Sequence, residues 1–359
     1  MTTESVEDLR LLVRLVRRDV AGVERRLRAR TASLDHLVET AIAHNLSVVL
    51  LRAIEKTPIH TALSRTHLET METRRRRHET RAQILLDALV ALADRFASAD
   101  QPFIVLKGSY HAARFYGDVY GREFIDLDLL VPRADRMRVF GLLAAAGYKR
   151  RSRVLLSAKL TGFFVHGFDF SAGSAYVDLH WCLSRHPSLR LDDSQIWDQR
   201  QSYSVNGRSY AVLSDKHEVV FGALSLLRDL GAGKAKLIKI VDLIQVVAAV
   251  DATIDWDAFF ESSRCEGTFG PLVNVLTFCI EAADAQDLTP RLTAALSRYA
   301  DRRVAVPAAV SPLRFRPIRF GLGNRFWAAR SYDTTSACWF LWWGVSLPFR
   351  MAVYRWRRP

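Results

Sequence analysis

The stretch Gly121-Arg-Glu-Phe-Ile-Asp-Leu-Asp-Leu-Leu-Val131 places two carboxylates, Asp126 and Asp128, two residues apart inside an apolar run. The aliphatic residues around them are typical of a β-strand, in which successive side chains point to opposite faces. The two acids are therefore predicted to share one face, while Leu127 and Leu129 enter the core. Adjacent carboxylates on a half-buried strand repel each other, and a divalent cation between them relieves the repulsion. The pattern is typical of a Mg²⁺ site, and the alternative is an exposed strand edge that carries two acids.

Two further segments add polar groups that suit such a site. Upstream, Phe103-Ile-Val-Leu-Lys-Gly-Ser-Tyr110 is a β-like run that breaks at Gly108 and Ser109 and leads into a helical pattern. A strand that ends in Gly-Ser at a helix start offers free backbone N–H groups to a phosphate. Downstream, Ala175-Tyr-Val-Asp-Leu-His-Trp181 is a second strand pattern with alternating polar and apolar residues. Its Asp178 supplies a third carboxylate.

The motifs occur in a fixed order along the chain: Lys107-Gly108-Ser109, Arg122, Asp126-Leu-Asp-Leu-Leu-Val131 and Val177-Asp-Leu-His-Trp181. In this order they resemble the uncharacterised bacterial nucleotidyltransferases of the DNA polymerase β superfamily, over roughly residues 35–260. The gap from Ser109 to Asp126 is longer than in the commonest members. The resemblance implies an α+β fold with a polymerase β-like core, in which helices flank a small mixed sheet.

The resemblance also implies a role for each acid. Asp126 and Asp128 would hold a Mg²⁺ or Mn²⁺ ion that also binds the triphosphate of an NTP such as ATP. Asp178 would join them at a second metal, where an acceptor hydroxyl attacks the α-phosphorus and pyrophosphate leaves. His180, two residues further on the same strand, would support the sheet. The chain is therefore expected to be a metal-dependent nucleotidyltransferase.

The triphosphate would lie beside these acids. Gly108 and Ser109 would receive the oxygens of the β- and γ-phosphates through backbone N–H groups and the serine hydroxyl. Lys107 and Arg122 would stabilise the negative charge that develops during transfer. These four residues form the predicted nucleotide-binding set.

A strongly apolar helix is predicted over residues 237–247 and carries Lys239 and Asp242. These two side chains lie three residues apart on one helix face, which favours an ion pair between them. In the resembling family a helix of this type packs near the nucleotide cleft. Lys239 is therefore also a candidate phosphate ligand.

Composition excludes several classes of protein. With 49% hydrophobic and 25% charged residues, the 359-residue chain is globular rather than disordered. Its four cysteines have no zinc-ligand spacing, so neither a disulfide framework nor a structural zinc site is predicted. The acidic N-terminus lacks the basic and then apolar layout of an export signal. A cytoplasmic location is expected.

Positive charge is concentrated at the C-terminus. Residues 301–359 contain eleven arginines, no lysine and two acids, out of a net charge of +13 for the whole chain. The apolar run at 337–349 is shorter than the roughly 20 residues that span a bilayer. Tryptophans beside arginines suit a lipid headgroup boundary, so the 335–359 tail is predicted to bind anionic membranes weakly, as a peripheral contact. The alternative is that its tryptophans clasp the helical part of the protein.

The pattern of periodicity divides the chain into four regions. Residues 1–99 are predicted to be helical, 100–213 to form the nucleotidyltransferase core, 214–300 to be helical again, and 301–359 to form the basic tail. Within the core, hairpins predict a mostly antiparallel or mixed sheet. The strand that carries Asp178 is expected to be an antiparallel neighbour of the one that carries Asp126 and Asp128.

Other functions remain open on the sequence alone. The same fold could transfer phosphate groups to a peptide. A non-catalytic protein that binds nucleic acid or a membrane surface through the tail is a second alternative, although converging acids would repel phosphate backbones. The acceptor, whether protein, peptide, RNA or a small molecule, has no readable signature.

Overall fold

The structure is a computed structural model that describes residues 3–17, 19–28, 33–151, 167–184, 186, 188–232 and 234–300. The α-helices of these parts are α1 (Thr3–Val16), α2 (Val20–Arg28), α3 (Leu34–Ala43), α4 (Ser47–Ile54), α5 (Pro58–Thr61), α6 (Arg65–Ser98), α7 (Ser109–Tyr116), α8 (Arg136–Ala145), α9 (Asp193–Asp198), α10 (Asp215–Gly231), α11 (Leu237–Val250), α12 (Trp256–Glu266), α13 (Phe269–Ala283) and α14 (Pro290–Ser297). The strands are β1 (Ile104–Val105), β2 (Leu127–Leu130), β3 (Lys149–Arg150), β4 (Gly167–Ala172), β5 (Ala175–His180), β6 (Gln201–Val205) and β7 (Arg208–Val212). The basic tail and the membrane contact predicted for it lie outside the described residues.

The strands form a seven-stranded sheet in the order β3-β4-β5-β2-β1-β7-β6. β2 pairs in parallel with β5, and β1 with β7, while the other neighbours are antiparallel. This mixed sheet with flanking helices confirms the α+β class. The expected antiparallel pairing of the two acidic strands is wrong, because β5 is a parallel neighbour of β2.

The parallel pairing follows from the connection between the two strands. After β2 the chain first forms α8 and then passes through β3 and β4 before it reaches β5. β4 and β5 form a hairpin, so the antiparallel neighbour of β5 is β4. A long connection that contains a helix allows β5 to enter the sheet parallel to β2, on the edge of β2 that faces away from β1.

β2 is buried on both faces because it is the central strand of the sheet. On one face Leu127 and Leu129 share a core with the C-terminal half of α6, as predicted from their alternation with the acids. On the other face Leu130 shares a smaller core with Phe221 of α10. Since side chains alternate along a strand, Asp128 lies on the same face as Leu130. This face, under α10, carries the candidate site.

The N-terminal and C-terminal helices share one hydrophobic core although they are far apart in sequence. Leu11 and Leu50 from the first four helices belong to the same cluster as Leu227, Leu243 and Leu276 from the C-terminal helices. Their side chains are at most 2% exposed. Packing of this kind holds α11 in place beside α7. The division of the chain into four regions stays a prediction.

Burial in this framework lowers the pKa of three histidines, His44, His78 and His217, to about 4. Above pH 6.5 these side chains are neutral in both the folded and the unfolded chain. As the pH falls through 6.5, only the unfolded chain takes up their protons. Their contribution therefore lowers the free energy of unfolding progressively between pH 6.5 and pH 4.

Replacing His78 by Phe is expected to reduce this pH dependence. The His78 ring makes an edge contact with Phe124 at a centroid distance of 5.3 Å, and a phenyl ring preserves that packing. Removing one such group should lower the slope of unfolding free energy against pH by up to about 1.4 kcal/mol per pH unit between pH 6.5 and 4. Urea titrations at half-unit pH steps measure the slope in both proteins. An unchanged slope would contradict a neutral, buried His78.

Candidate active site

Asp128 and Asp178 lie side by side at the centre of the sheet. They are opposite each other in the parallel register of β2 and β5. Asp128 is 1% exposed, whereas the Asp178 side chain is 31% exposed. His180 joins them, since its Nε2 lies 3.2 Å from Asp128 Oδ1 and 3.4 Å from Asp178 Oδ2. One ligand atom from each of the three residues lies within 4.8 Å of the others, which is compact enough for a single metal ion.

Asp126 and Lys107 lie next to this cluster. Asp126 precedes β2 by one residue and is partly exposed. It is not one of the three converging residues, but its carboxyl interacts electrostatically with Asp128 and Asp178. Lys107, which follows β1, places its Nζ 3.1 Å from Asp128 Oδ1. The structure thus brings all three predicted acids and Lys107 into one neighbourhood.

The pKa values of these groups are strongly shifted by burial and by one another. Burial alone would raise the pKa of Asp128, but Lys107 and a hydrogen bond from His180 hold it below its usual value. Burial alone would lower the pKa of His180, but Asp178 and Asp128 raise it to about 9. For Asp126, burial and the nearby Asp128 act together and raise the pKa to about 7. The buried Asp128 carboxylate is therefore balanced by cations of the chain itself, Lys107 and protonated His180.

The turn at Gly108 and Ser109 lies close to Asp126, the residue that precedes the acidic strand β2. Gly108 has φ +70°, a left-handed conformation that favours glycine, and a Cβ at this position would lie 3.4 Å from the Asp126 carbonyl oxygen. Ser109 is the first residue of α7 and is 1% exposed. Its Oγ has no hydrogen-bond partner among the described residues. Free N–H groups of a first helical turn and an unpaired buried hydroxyl make a favourable phosphate site.

Comparison with known proteins identifies the family of this chain. The model of a family of uncharacterised nucleotidyltransferases matches residues 31–304. The chain belongs to this family. The match includes both acidic strands and the Gly-Ser turn, and it confirms the family that the sequence motifs indicated. No curated protein matches the chain.

Several solved structures are similar to this nucleotidyltransferase over part of its length. The lincomycin-bound lincosamide antibiotic adenylyltransferase LnuA is 14% identical with a TM-score of 0.31, and the alignment covers 44% of this chain and 93% of LnuA. The antibiotic-resistance factor ANT(2'')-Ia is 15% identical with a TM-score of 0.37, and the alignment covers 52% of this chain and 93% of that protein. An antigenic nucleotidyltransferase-like protein from Paracoccidioides brasiliensis is 16% identical with a TM-score of 0.32, and the alignment covers 59% of this chain and 92% of that protein.

Arg122 lies in the loop between α7 and β2 and forms a buried ion pair with Asp242. Its Nε and Nη2 donate to the two carboxylate oxygens of Asp242 on α11, at 2.7 Å and 2.5 Å. The Tyr116 hydroxyl donates to the same carboxylate at 2.6 Å. The predicted ion pair between Lys239 and Asp242 is therefore wrong. Asp242 faces α7 and the loop before β2, where Arg122 forms a two-point contact that a lysine on the same helix as Asp242 cannot match.

Lys239 lies on the helical side of the site. Its ammonium group pairs with Asp229 of α10 and donates to Ser225 Oγ at 3.1 Å. Burial lowers the pKa of Lys239 to about 8; Asp229 opposes this shift, and the positive charge of Lys107 adds to it. The electrostatic effect of Lys107 shows that the two lysines are near each other. Lys239 therefore belongs to the surroundings of the acidic cluster.

Sequence reasoning missed two features of the site. His180 was assigned to sheet support, although its position two residues after Asp178 already placed both side chains on one strand face. The other feature is a buried contact between His111 Nε2 and Glu218 Oε2 at 2.8 Å, which links α7 to α10. These residues are 107 positions apart, so no local sequence pattern predicts their contact.

Proposed function

We propose that this nucleotidyltransferase transfers an NMP group from an NTP to a hydroxyl of an acceptor, with release of pyrophosphate, and that it depends on a divalent metal. One observation carries the proposal. Asp128 and Asp178 converge within the sheet, and the Gly108-Ser109 turn lies close to Asp126, the residue that precedes the acidic strand β2. Metal-binding carboxylates and a phosphate-binding helix start are the two parts that in-line transfer from a nucleotide needs.

The chemistry of the acidic cluster fits a divalent cation. Asp128 Oδ2 is buried and has no hydrogen-bond partner among the described residues. A buried carboxylate oxygen in this state is costly unless a cation approaches it. We assign Asp128 and Asp178 as metal-holding residues, with Asp126 beside them. A bound Mg²⁺ or Mn²⁺ would supply charge neutralisation at the phosphates and would acidify the acceptor hydroxyl.

The residues of the chain bind and orient the nucleotide in this proposal. The N–H groups at the start of α7 and the Ser109 hydroxyl receive oxygens of the β- and γ-phosphates. Lys107 and Lys239 provide positive charge on two sides of the cluster. Arg122 is already held at two points by Asp242, so we assign it to the positioning of α11 and not to direct phosphate contact.

Replacing Ser109 by Ala is expected to weaken NTP binding. Loss of a buried hydroxyl that meets a charged oxygen should cost about 1–3 kcal/mol, which corresponds to roughly a 5- to 150-fold increase in Kd. Isothermal titration with a non-hydrolysable NTP analogue measures the change. Ser209→Ala is the control, because that serine lies on the exposed β6-β7 hairpin and bonds to Ser202. Equal Kd values for all three proteins would count against the phosphate role.

The reaction itself is tested with labelled nucleotides. The purified protein is incubated with Mg²⁺ or Mn²⁺, each NTP labelled at the α- or the γ-phosphorus, and acceptor panels of proteins, peptides, RNA and small molecules. Movement of the α-label to an acceptor, with release of labelled pyrophosphate from the γ-labelled NTP, supports the proposal. Movement of the γ-label to a peptide would instead establish phosphate transfer. Asp128→Asn is the negative control.

The location of the protein and its C-terminal contact remain predictions. No helix among the described residues is long and apolar enough to cross a membrane. The predicted binding of the 335–359 tail to an anionic membrane concerns residues that the structure does not describe. Comparing liposome binding of the full chain with that of a chain ending at Asp333 tests it, and equal binding would contradict the prediction.

A further inference from the structure

His180 is placed like a ligand rather than like a residue that only fills the sheet. It ends β5 at the level of Leu130 of β2, and its residue surface is 4% exposed. One atom, Nε2, approaches carboxylate oxygens from two different strands, at 3.2 Å from Asp128 and 3.4 Å from Asp178. The ring nitrogen therefore faces the region between the two acids. An imidazole that only supported the sheet would not need to contact both carboxylates with the same nitrogen atom.

The cluster also has an acceptor that the described chain does not satisfy. Asp128 Oδ1 is contacted by both Lys107 Nζ and His180 Nε2. Asp128 Oδ2, in contrast, is buried without a hydrogen-bond partner among the described residues. Buried carboxylate oxygens are normally paired. Asp128, Asp178 and His180 each direct one ligand atom into a space no wider than 4.8 Å. Two oxygens and one nitrogen at this spacing suit a cation with further positions open for phosphate and water.

We propose that His180 is an inner ligand of the metal centre together with Asp128 and Asp178, and that the centre prefers a first-row transition ion to Mg²⁺. The inference rests on the metal centre of the proposed function. Mg²⁺ is bound mainly by oxygen ligands and keeps several waters, whereas imidazole suits transition ions. Metal binding replaces the proton on Nε2, which passes to solvent. Mn²⁺ binds most weakly of the divalent first-row transition ions. It is therefore the most stringent choice of ion for testing whether the centre prefers a transition ion to Mg²⁺.

Mn²⁺ binding to the metal-stripped full chain tests the proposal without turnover. Electron paramagnetic resonance measures free Mn²⁺ in a titration, with and without a non-hydrolysable NTP analogue, and Mg²⁺ is then added as competitor. Pulsed measurements on bound Mn²⁺ detect a directly bonded nitrogen. The wild type should show nitrogen coupling and bind Mn²⁺ at least about 10-fold more tightly than Mg²⁺. In His180→Asn the coupling should disappear and Mn²⁺ affinity should fall by about 10- to 100-fold, with a smaller loss for Mg²⁺.

Two controls separate coordination from structural support. His217→Asn changes another buried histidine, whose Nδ1 contacts Ser214 outside the cluster, and should retain the coupling. Incorporating ¹⁵N-histidine into the wild type should convert the coupling to that of ¹⁵N, which identifies a histidine ligand even if His180→Asn does not fold. Bound Mn²⁺ without nitrogen coupling in the wild type would overturn the proposal. So would coupling that persists in a folded His180→Asn protein.

The outcomes distinguish this inference from the proposed function. NMP transfer by a protein whose Mn²⁺ shows no nitrogen coupling would keep the function and overturn the ligand role of His180. Nitrogen-coupled Mn²⁺ in a protein that transfers no nucleotide would keep the ligand role and contradict the function. Absence of Mn²⁺ binding, with and without the NTP analogue, would overturn the ligand role of His180 and leave a function that depends on Mg²⁺.

Discussion

Replacing Asp128 by Asn is expected to lower kcat/KM for NMP transfer by about 10³-fold or more. Asp128 is 1% exposed and lies in the central strand, where its Oδ1 contacts Lys107 and His180. Asn keeps the shape of the side chain and removes the negative charge that holds a cation. Several kcal/mol of charge stabilisation in the transition state depend on that cation. Initial rates with saturating Mg²⁺ or Mn²⁺ measure the loss.

The loss must come from chemistry and not from unfolding. Thermal melting followed by circular dichroism should show that Asp128→Asn keeps a single cooperative transition. Asp255→Asn is the matched control, because Asp255 caps α12 by accepting from the Asp257 and Ala258 N–H groups, and Asn is an equally good cap. That variant should have wild-type rates. An Asp128→Asn protein with near-normal turnover would show that the site has been assigned to the wrong residues.

Local features of the fold were predictable because their causes are local. The alternation around Asp126 and Asp128 predicted which neighbours enter the core, and Leu127 and Leu129 are 2% and 0% exposed. An Asn-Gly pair favours a tight hairpin, and Asn206 and Gly207 both have positive φ between β6 and β7. Serine and aspartate favour helix N-caps, and Ser214 and Asp255 cap α10 and α12 through their side chains. In each case a few consecutive residues determine the conformation.

Long-range pairing was not predictable from the same patterns. β2 and β5 are both apolar strands with acids on one face, but nothing in either strand specifies that they run parallel. That direction depends on the whole connection between them. Likewise, Arg122 and Asp242 are 120 residues apart and lie together because the helical core places α11 beside α7 and the loop that follows it. An amphipathic pattern predicts that a helix packs, but not its partner.

Loss of Asp242 is expected to destabilise the protein more than loss of any exposed ion pair. Asp242 is 9% exposed and Arg122 7% exposed, so Asp242→Leu would leave a buried guanidinium without its counter-charge. Breaking a buried pair from one side costs about 3–5 kcal/mol. Urea unfolding at pH 7 measures the change. Glu69→Leu is the control, because Glu69 pairs with Arg65 on the surface, and exposed pairs contribute about 0–1 kcal/mol.

A compensated variant decides whether Arg122 also binds the triphosphate. Arg122→Met with Asp242→Leu removes both charges, and Tyr116→Phe removes the hydroxyl that would otherwise lose its acceptor. Replacing a buried ion pair completely by apolar residues is often nearly neutral, so most of the lost stability should return. If Arg122 only positions α11, KM for NTP in the compensated variant should lie within about 3-fold of the wild-type value. A lost direct contact worth about 1.4 kcal/mol would instead raise KM about 10-fold. Restored stability with KM still raised more than about 10-fold would instead make Arg122 a direct phosphate ligand.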